Sequence, residues 1–196
     1  MFTGIVRDIG TIERAAAGAL TIASVLAADA HLGDSIAING VDLTVTARNE
    51  ATFNADVMPE TARRSTIDRL THGTAVNLEP AVRPIDGLSG HLVRGVIEGV
   101  ATIIAIEPDG DARILRCECQ SDLTGHMVVK GPIALDGVSL TLIEVGNDNG
   151  TAMIRKRIRP GAANQRGRAA STIEQIVPGP TVNDVAGPIS GNVVGK

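Results

Sequence analysis

The chain has 196 residues, 43% of them apolar, with 18 Lys and Arg against 22 Asp and Glu for a formal net charge of −4; it has no Tyr or Trp, and its two Phe are Phe2 and Phe53. That balance excludes a nucleic-acid surface of basic residues and stacking rings, and no apolar run approaches the roughly 20 residues that span a bilayer. Met1-Phe2-Thr3-Gly4-Ile5-Val6-Arg7-Asp8 turns polar too soon for a secretory leader, so a cytoplasmic protein with no membrane partner is expected.

In chain order, β-branched runs separated by Gly, Asp and Asn predict strands over residues 4–12, 19–24, 35–46 and 52–57. Pro59 opens a short helix at the favoured first-turn position, followed by Glu60-Thr61-Ala62-Arg63-Arg64. The stretch Arg83-Pro84-Ile85-Asp86-Gly87-Leu88-Ser89-Gly90 reads as a linker and divides the chain into domains 1–88 and 89–196, each long enough to bury its own core. Strands are predicted again over residues 92–106, 114–118 and 133–145. A helix is expected over residues 120–126, with Ser121 as its cap and Asp122 in its first turn.

Cys117 and Cys119 lie two apart, so both thiols face one side of a strand. They read as ordinary buried thiols, with no disulfide framework and no metal site. Arg155-Lys156-Arg157-Ile158-Arg159, with Arg166 and Arg168, reads as a solvated basic loop. The Gly-rich end, residues 187–196, should form no helix.

The chain repeats itself. Ile36-Ala37-Ile38-Asn39-Gly40-Val41-Asp42-Leu43-Thr44-Val45 returns 97 positions on as Ile133-Ala134-Leu135-Asp136-Gly137-Val138-Ser139-Leu140-Thr141-Leu142. Gly4-Ile5-Val6 returns as Gly95-Val96-Ile97, and Ser65-Thr66-Ile67-Asp68 as Ser171-Thr172-Ile173-Glu174. Blocks kept in order, at offsets that grow from 91 through 97 to 106 as the loops differ in length, mean a duplicated fold. Short strands with turns between them make two tandem antiparallel β-barrels the expected architecture, all-β with few short helices.

These residues resemble the riboflavin synthase family, and the resemblance covers nearly the whole chain. Its carriers are the opening Met1-Phe2-Thr3-Gly4-Ile5-Val6, the Gly33 to Val41 block, Asp56-Val57-Met58-Pro59-Glu60-Thr61, Val76-Asn77-Leu78-Glu79, Gly90-His91, and Lys130-Gly131 through Asp136-Gly137-Val138-Ser139-Leu140-Thr141. The resemblance implies two six-stranded Greek-key barrels, each binding one ring. It also implies a cofactor-free reaction in which two dimethyl-ribityllumazine molecules exchange a four-carbon unit, giving riboflavin and a ribitylamino-uracil. A lumazine or flavin is then a candidate bound group. Carried over by position, the first ring site comprises Gly4, Ile5, Val6, Asp42, Leu43, Thr44, Asp56, Met58, Glu60 and Thr61. The second comprises Gly95, Val96, Ile97, Lys130, Ser139, Leu140, Thr141, Pro160, Gly161 and Ala162, and Asp42, Ser139 and Thr141 are the expected catalytic groups.

The chain departs from the family at chemically telling places. Asp42 stands where the family has a cysteine, Val96 where it has a histidine, and Pro160-Gly161-Ala162 where it has Pro-x-Thr. The Gly-rich end replaces a helix that gathers three subunits, so a monomer or weak oligomer is expected rather than the family trimer. Three readings follow. The chain is a divergent member whose dismutation is weakened or replaced by another C–C bond-forming, cycloaddition-type reaction; a working riboflavin synthase; or a non-catalytic lumazine or flavin binder. His91 reads as a structural histidine, and His31, His72 and His126 carry no pattern.

Overall fold

The computed structural model describes residues 1–16, 18–110 and 112–146, and the backbone of residues 151–157 and 189–194. The first barrel contains β1 (Asp8–Ala16), β2 (Ala19–Ala23), β3 (Ser35–Ile38), β4 (Val41–Arg48), β5 (Thr52–Asp56) and β6 (Ala75–Pro80), with helix α1 (Pro59–Arg64) before β6. The second contains β7 (Gly99–Asp109), β8 (Ala112–Glu118), β9 (Pro132–Leu135), β10 (Val138–Val145), β11 (Thr151–Arg157) and β12 (Ile189–Val194), with helix α2 (Ser121–Thr124) before β9. Both sheets close, and each strand of the first barrel has its counterpart six places later in the same neighbour order.

Period-two burial gives each barrel its inside and its outside. Val41, Leu43 and Val45 of β4 are buried while Thr44 and Thr46 are exposed, so one side of the strand faces the barrel interior. The first core packs Ile12, Ile22, Ile38, Phe53 and Leu78, all fully buried; the second packs Leu115, Leu135, Leu140 and Leu142. Each such side chain contributes on the order of 1.5–3 kcal/mol through burial.

The hairpins and bulges are duplicated too. Asn39 and Gly40 have φ of 47° and 80°, Asp136 and Gly137 of 46° and 77°, the left-handed pair that a two-residue hairpin needs. The residues predicted as single strands, 35–46 and 133–145, are therefore hairpins, β3–β4 and β9–β10. Thr46 is an extra, bulged residue in β4, and Ile143 is its counterpart in β10.

Other differences have local causes. Residues 4–7 precede β1: Thr3 and Gly4 donate to the Glu79 side chain rather than to a strand, and Arg7 N donates to Leu78 O (2.8 Å). Strand β6 lacks readable alternation because Val76, Asn77, Leu78 and Glu79 are all buried. The basic residues Arg155, Lys156 and Arg157 lie in β11, laddered to Ile114, Arg113 and Ala112, rather than in a loop. Part of the Gly-rich end forms β12, which closes the second barrel between β7 and β9. Gln120, not Ser121, caps α2, without a side-chain bond. Among the described residues no helix is long and apolar enough to cross a membrane.

Candidate functional site at the seam between the barrels

The N-terminal segment runs between the barrels and is tied to both. Phe2, 1% exposed, bridges Val93 through Phe2 N to Val93 O (2.7 Å) and Val93 N to Phe2 O (2.9 Å). The buried Glu79 carboxylate accepts from Thr3 N (2.6 Å), Thr3 Oγ1 (2.7 Å) and Gly4 N (2.9 Å). With their amides held from β6, Thr3 and Gly4 turn their carbonyls toward the second half of the chain: His91 N donates to Thr3 O (3.1 Å) and Ser139 N to Gly4 O (2.7 Å).

The matching contact runs the other way. Asp42 N donates to Gly95 O at 3.0 Å, and Asp42 and Gly95 are the repeat partners of Ser139 and Gly4. The seam is thus a local pseudo-two-fold made by the duplication. Both glycines are required there: Gly4 and Gly95 have φ of 73° and 79°, and a Cβ would lie 2.8 Å from Ser139 Cβ at Gly4 and 2.7 Å from Asp42 Cβ at Gly95. The two hairpin tips also abut, a Cβ on Gly40 falling 2.8 Å from Gly137 N. Asn77 reaches across, its N donating to Asn39 Oδ1 (2.8 Å) and its Nδ2 to Asp136 O (2.9 Å).

Four of the residues expected from the sequence, Gly4, Asp42, Gly95 and Ser139, therefore meet at one place. His91 joins them, its Nδ1 2.7 Å from Ser139 Oγ. Burial pushes the His91 imidazole below its ordinary pKa, so the neutral ring is favoured and pairs with the hydroxyl as acceptor or donor according to tautomer. A hydroxyl on a neutral imidazole is a unit able to move a proton. No spacing pattern flags this pair, because 48 residues separate its members.

The remaining residues expected from the sequence lie around the seam. Ile5, Val6 and Asp42 are half-buried and Thr44 is exposed on β4 opposite Ser35. Asp56 is exposed and accepts from Thr46 Oγ1 at 3.4 Å. Met58 is exposed at the start of α1, and the half-buried Thr61 lies within α1. Glu60 is clamped by Arg64 and Arg63, whose hydrogen bonds hold its carboxyl below the usual range. Leu43 and Leu140 point into the cores, so only their backbones are available to a ligand. Val96 is 58% exposed, and Ile97 packs against the core of the first barrel. Lys130 is exposed, with φ of 67° and its N on Leu142 O (2.8 Å); Thr141 is exposed two residues beyond Ser139 on β10. Pro160, Gly161 and Ala162 lie outside the described residues.

Among the described residues no cluster of three or more His, Cys, Asp and Glu is arranged to hold a metal ion. Cys117 is buried in the second core, and burial pushes its thiol up to about 12.

A family model described as the lumazine binding domain matches residues 3–81 and again residues 94–159. The riboflavin synthase of Bacillus subtilis (strain 168) is 44% identical over 156 residues, 77% of this chain and 73% of the relative. That of Actinobacillus pleuropneumoniae is 34% identical over 192 residues, 95% of this chain and 86% of the relative. Among solved structures, LumP complexed with riboflavin matches with a TM-score of 0.73 at 22% identity, covering 98% of each chain. LumP complexed with 6,7-dimethyl-8-(1'-D-ribityl) lumazine matches with a TM-score of 0.71 and the same coverage. At that identity the structural likeness speaks for the fold.

Proposed function

Because the chain belongs to the riboflavin synthase family of duplicated lumazine-binding proteins, we propose that it binds a lumazine- or flavin-type ring on the outer face of its first barrel. On this reading the dismutation of dimethyl-ribityllumazine is weakened or replaced by another C–C bond-forming, cycloaddition-type reaction. The observation that carries it is the altered seam. Asp42, half-buried with its amide on Gly95 O, brings a carboxylate where the family has a thiol, and the neighbouring Val96 presents an apolar side chain where the family has a histidine. Holding two like rings face to face is a proximity task that two matched barrels serve. Removing a methyl proton needs a base, and here Asp42 and the His91–Ser139 pair are the candidates, with Thr141 as a further hydroxyl.

The His91–Ser139 pair also supports a second reading, a working riboflavin synthase, since a proton-moving pair is present despite Val96. Incubation of the purified protein with dimethyl-ribityllumazine, with and without oxygen, tests this: riboflavin formed over many turnovers establishes the second reading, and binding without riboflavin excludes it and leaves a barrel with different chemistry or a non-catalytic lumazine or flavin binder. Asp42→Asn is expected to leave ring binding within a few-fold and remove turnover; unchanged turnover dismisses the role of Asp42. A monomer or weak oligomer is expected by sedimentation.

A further inference from the structure

The Thr46 bulge shapes the outside of the first barrel. Val45 is buried, but Thr46, Ala47 and Arg48 after it are all exposed, and with His31 and Leu32 they line an open cleft of about 460 Å³. Bulges re-aim side chains in this way, and the cleft is open to solvent, so it suits the charged end of a ligand rather than its ring. The other wall is pinned to the bulge: Gly33 N donates to Val45 O (2.9 Å) and Val45 N to Asp34 O (2.9 Å). Asp34 Oδ2 accepts from His31 N (2.8 Å) and lies 3.5 Å from His31 Nδ1, so it is placed to orient the imidazole. Arg48 Nη1 donates to Ala28 O at 3.4 Å, and among the described residues no carboxylate lies within ion-pair distance of its guanidinium.

The second barrel supplies an internal control. The same backbone recurs, with Lys130 N on Leu142 O, Leu142 N on Gly131 O and the bulge at Ile143. Yet the counterparts of His31, Leu32, Thr46, Ala47 and Arg48 are Val128, Val129, Ile143, Glu144 and Val145. Neither His31 nor Arg48 is demanded by the fold.

We propose that this cleft is an anion-binding subsite that takes the terminal phosphate monoester of a ring ligand. The inference rests on the ring-binding reading above and adds what the ligand carries at its far end. Asp42, Thr44 and Thr46 share the outer face of β4, and at roughly 3.3 Å per residue Asp42 and Thr46 stand about 13 Å apart. A ring near Asp42 with a polyol chain along Thr44 and Thr46 delivers its terminus to Arg48. Thr46 Oγ1 gives its proton to Asp56 and so offers lone pairs to chain hydroxyls. The planar guanidinium fits two phosphate oxygens at once, and His31 adds a donor.

The test compares riboflavin with flavin mononucleotide, which differ by the phosphate alone, in fluorescence titrations of the native protein, Arg48→Ala and His31→Asn. Flavin mononucleotide is expected to bind about tenfold more tightly than riboflavin. Arg48→Ala should erase that ratio, and His31→Asn reduce it, with riboflavin affinity unchanged. Equal affinities in the native protein, or a ratio that survives Arg48→Ala, overturn the proposal. If neither flavin binds, the ring reading fails, and a titration with inorganic phosphate followed by NMR at Arg48 Nε–H decides for the cleft alone. A saturable shift lost on His31→Asn supports an anion site; no shift overturns it.

Discussion

Glu79 is the residue whose replacement tests the seam most directly. Glu79 is 4% exposed, and its carboxylate accepts three hydrogen bonds, from Thr3 N, Thr3 Oγ1 and Gly4 N. In Glu79→Gln the side chain keeps its size but one oxygen becomes an amide NH2. The better orientation keeps the oxygen on the two Thr3 donors and leaves the Gly4 N–H facing another donor. An unsatisfied buried amide costs about 1–3 kcal/mol, and the two surviving bonds weaken from charged to neutral, so a loss of about 3 kcal/mol is expected. Glu79→Ala leaves both backbone amides without an acceptor and opens a cavity, for about 4–5 kcal/mol, near the upper end of single-site effects. Urea unfolding gives the loss, and amide exchange gives its location. The His91 and Ser139 amides, held by Thr3 O and Gly4 O, should exchange faster in Glu79→Gln than core amides such as Leu115. A loss under about 0.5 kcal/mol with unchanged exchange at both amides refutes the claim that this anion organises the seam.

The other expectations are narrower. Gly40→Ala combines a φ of 80° with a Cβ 2.8 Å from Gly137 N, whereas Gly33→Ala has a φ of 89° and open space; thermal unfolding should show about 1 kcal/mol for Gly33→Ala and at least about twice that for Gly40→Ala. Because burial holds the folded His91 below its ordinary 6.5, the unfolded chain takes up the proton first. Stability should therefore fall as pH drops below 6.5 and level off below the lowered folded value, and His91→Asn should remove that component from urea midpoints measured across the range. Cys117, with its thiol pushed up to about 12, should resist iodoacetamide at pH 8 until the protein unfolds, and Cys119, half-buried and raised less, should react first; mass spectrometry of the native protein assigns the order.

What could be read in the chain follows from which interactions are local. Asn39-Gly40 and Asp136-Gly137 carry their own left-handed turn, and Val41, Leu43 and Val45 carry their own alternation, so the hairpins sit within segments recognisable beforehand. Strand β6 was not legible because Asn77 and Glu79 are buried by partners 38 and 76 residues away, Asn39 and Thr3. Arg155, Lys156 and Arg157 look like a solvated loop until β8 lies beside them. The repeat drew attention to Gly4, Asp42, Gly95 and Ser139, and the fold brings those four together. His31 and Arg48 carried no pattern, and Gly90-His91 marked the resemblance without pointing to Ser139, since each acquires its setting from a partner or a bulge that spacing does not encode.

By itself, then, the sequence determined two like barrels, because duplication, turn chemistry and period-two burial are properties of short segments repeated in order. The tertiary structure alone decided that the two copies face each other through Gly4 and Ser139, Gly95 and Asp42, and that His31 and Arg48 line one cleft beside the bulge of the first barrel. Those contacts depend on chain closure over dozens of residues, where a single buried carboxylate or an extra residue in a strand redirects side chains that the linear order leaves unrelated.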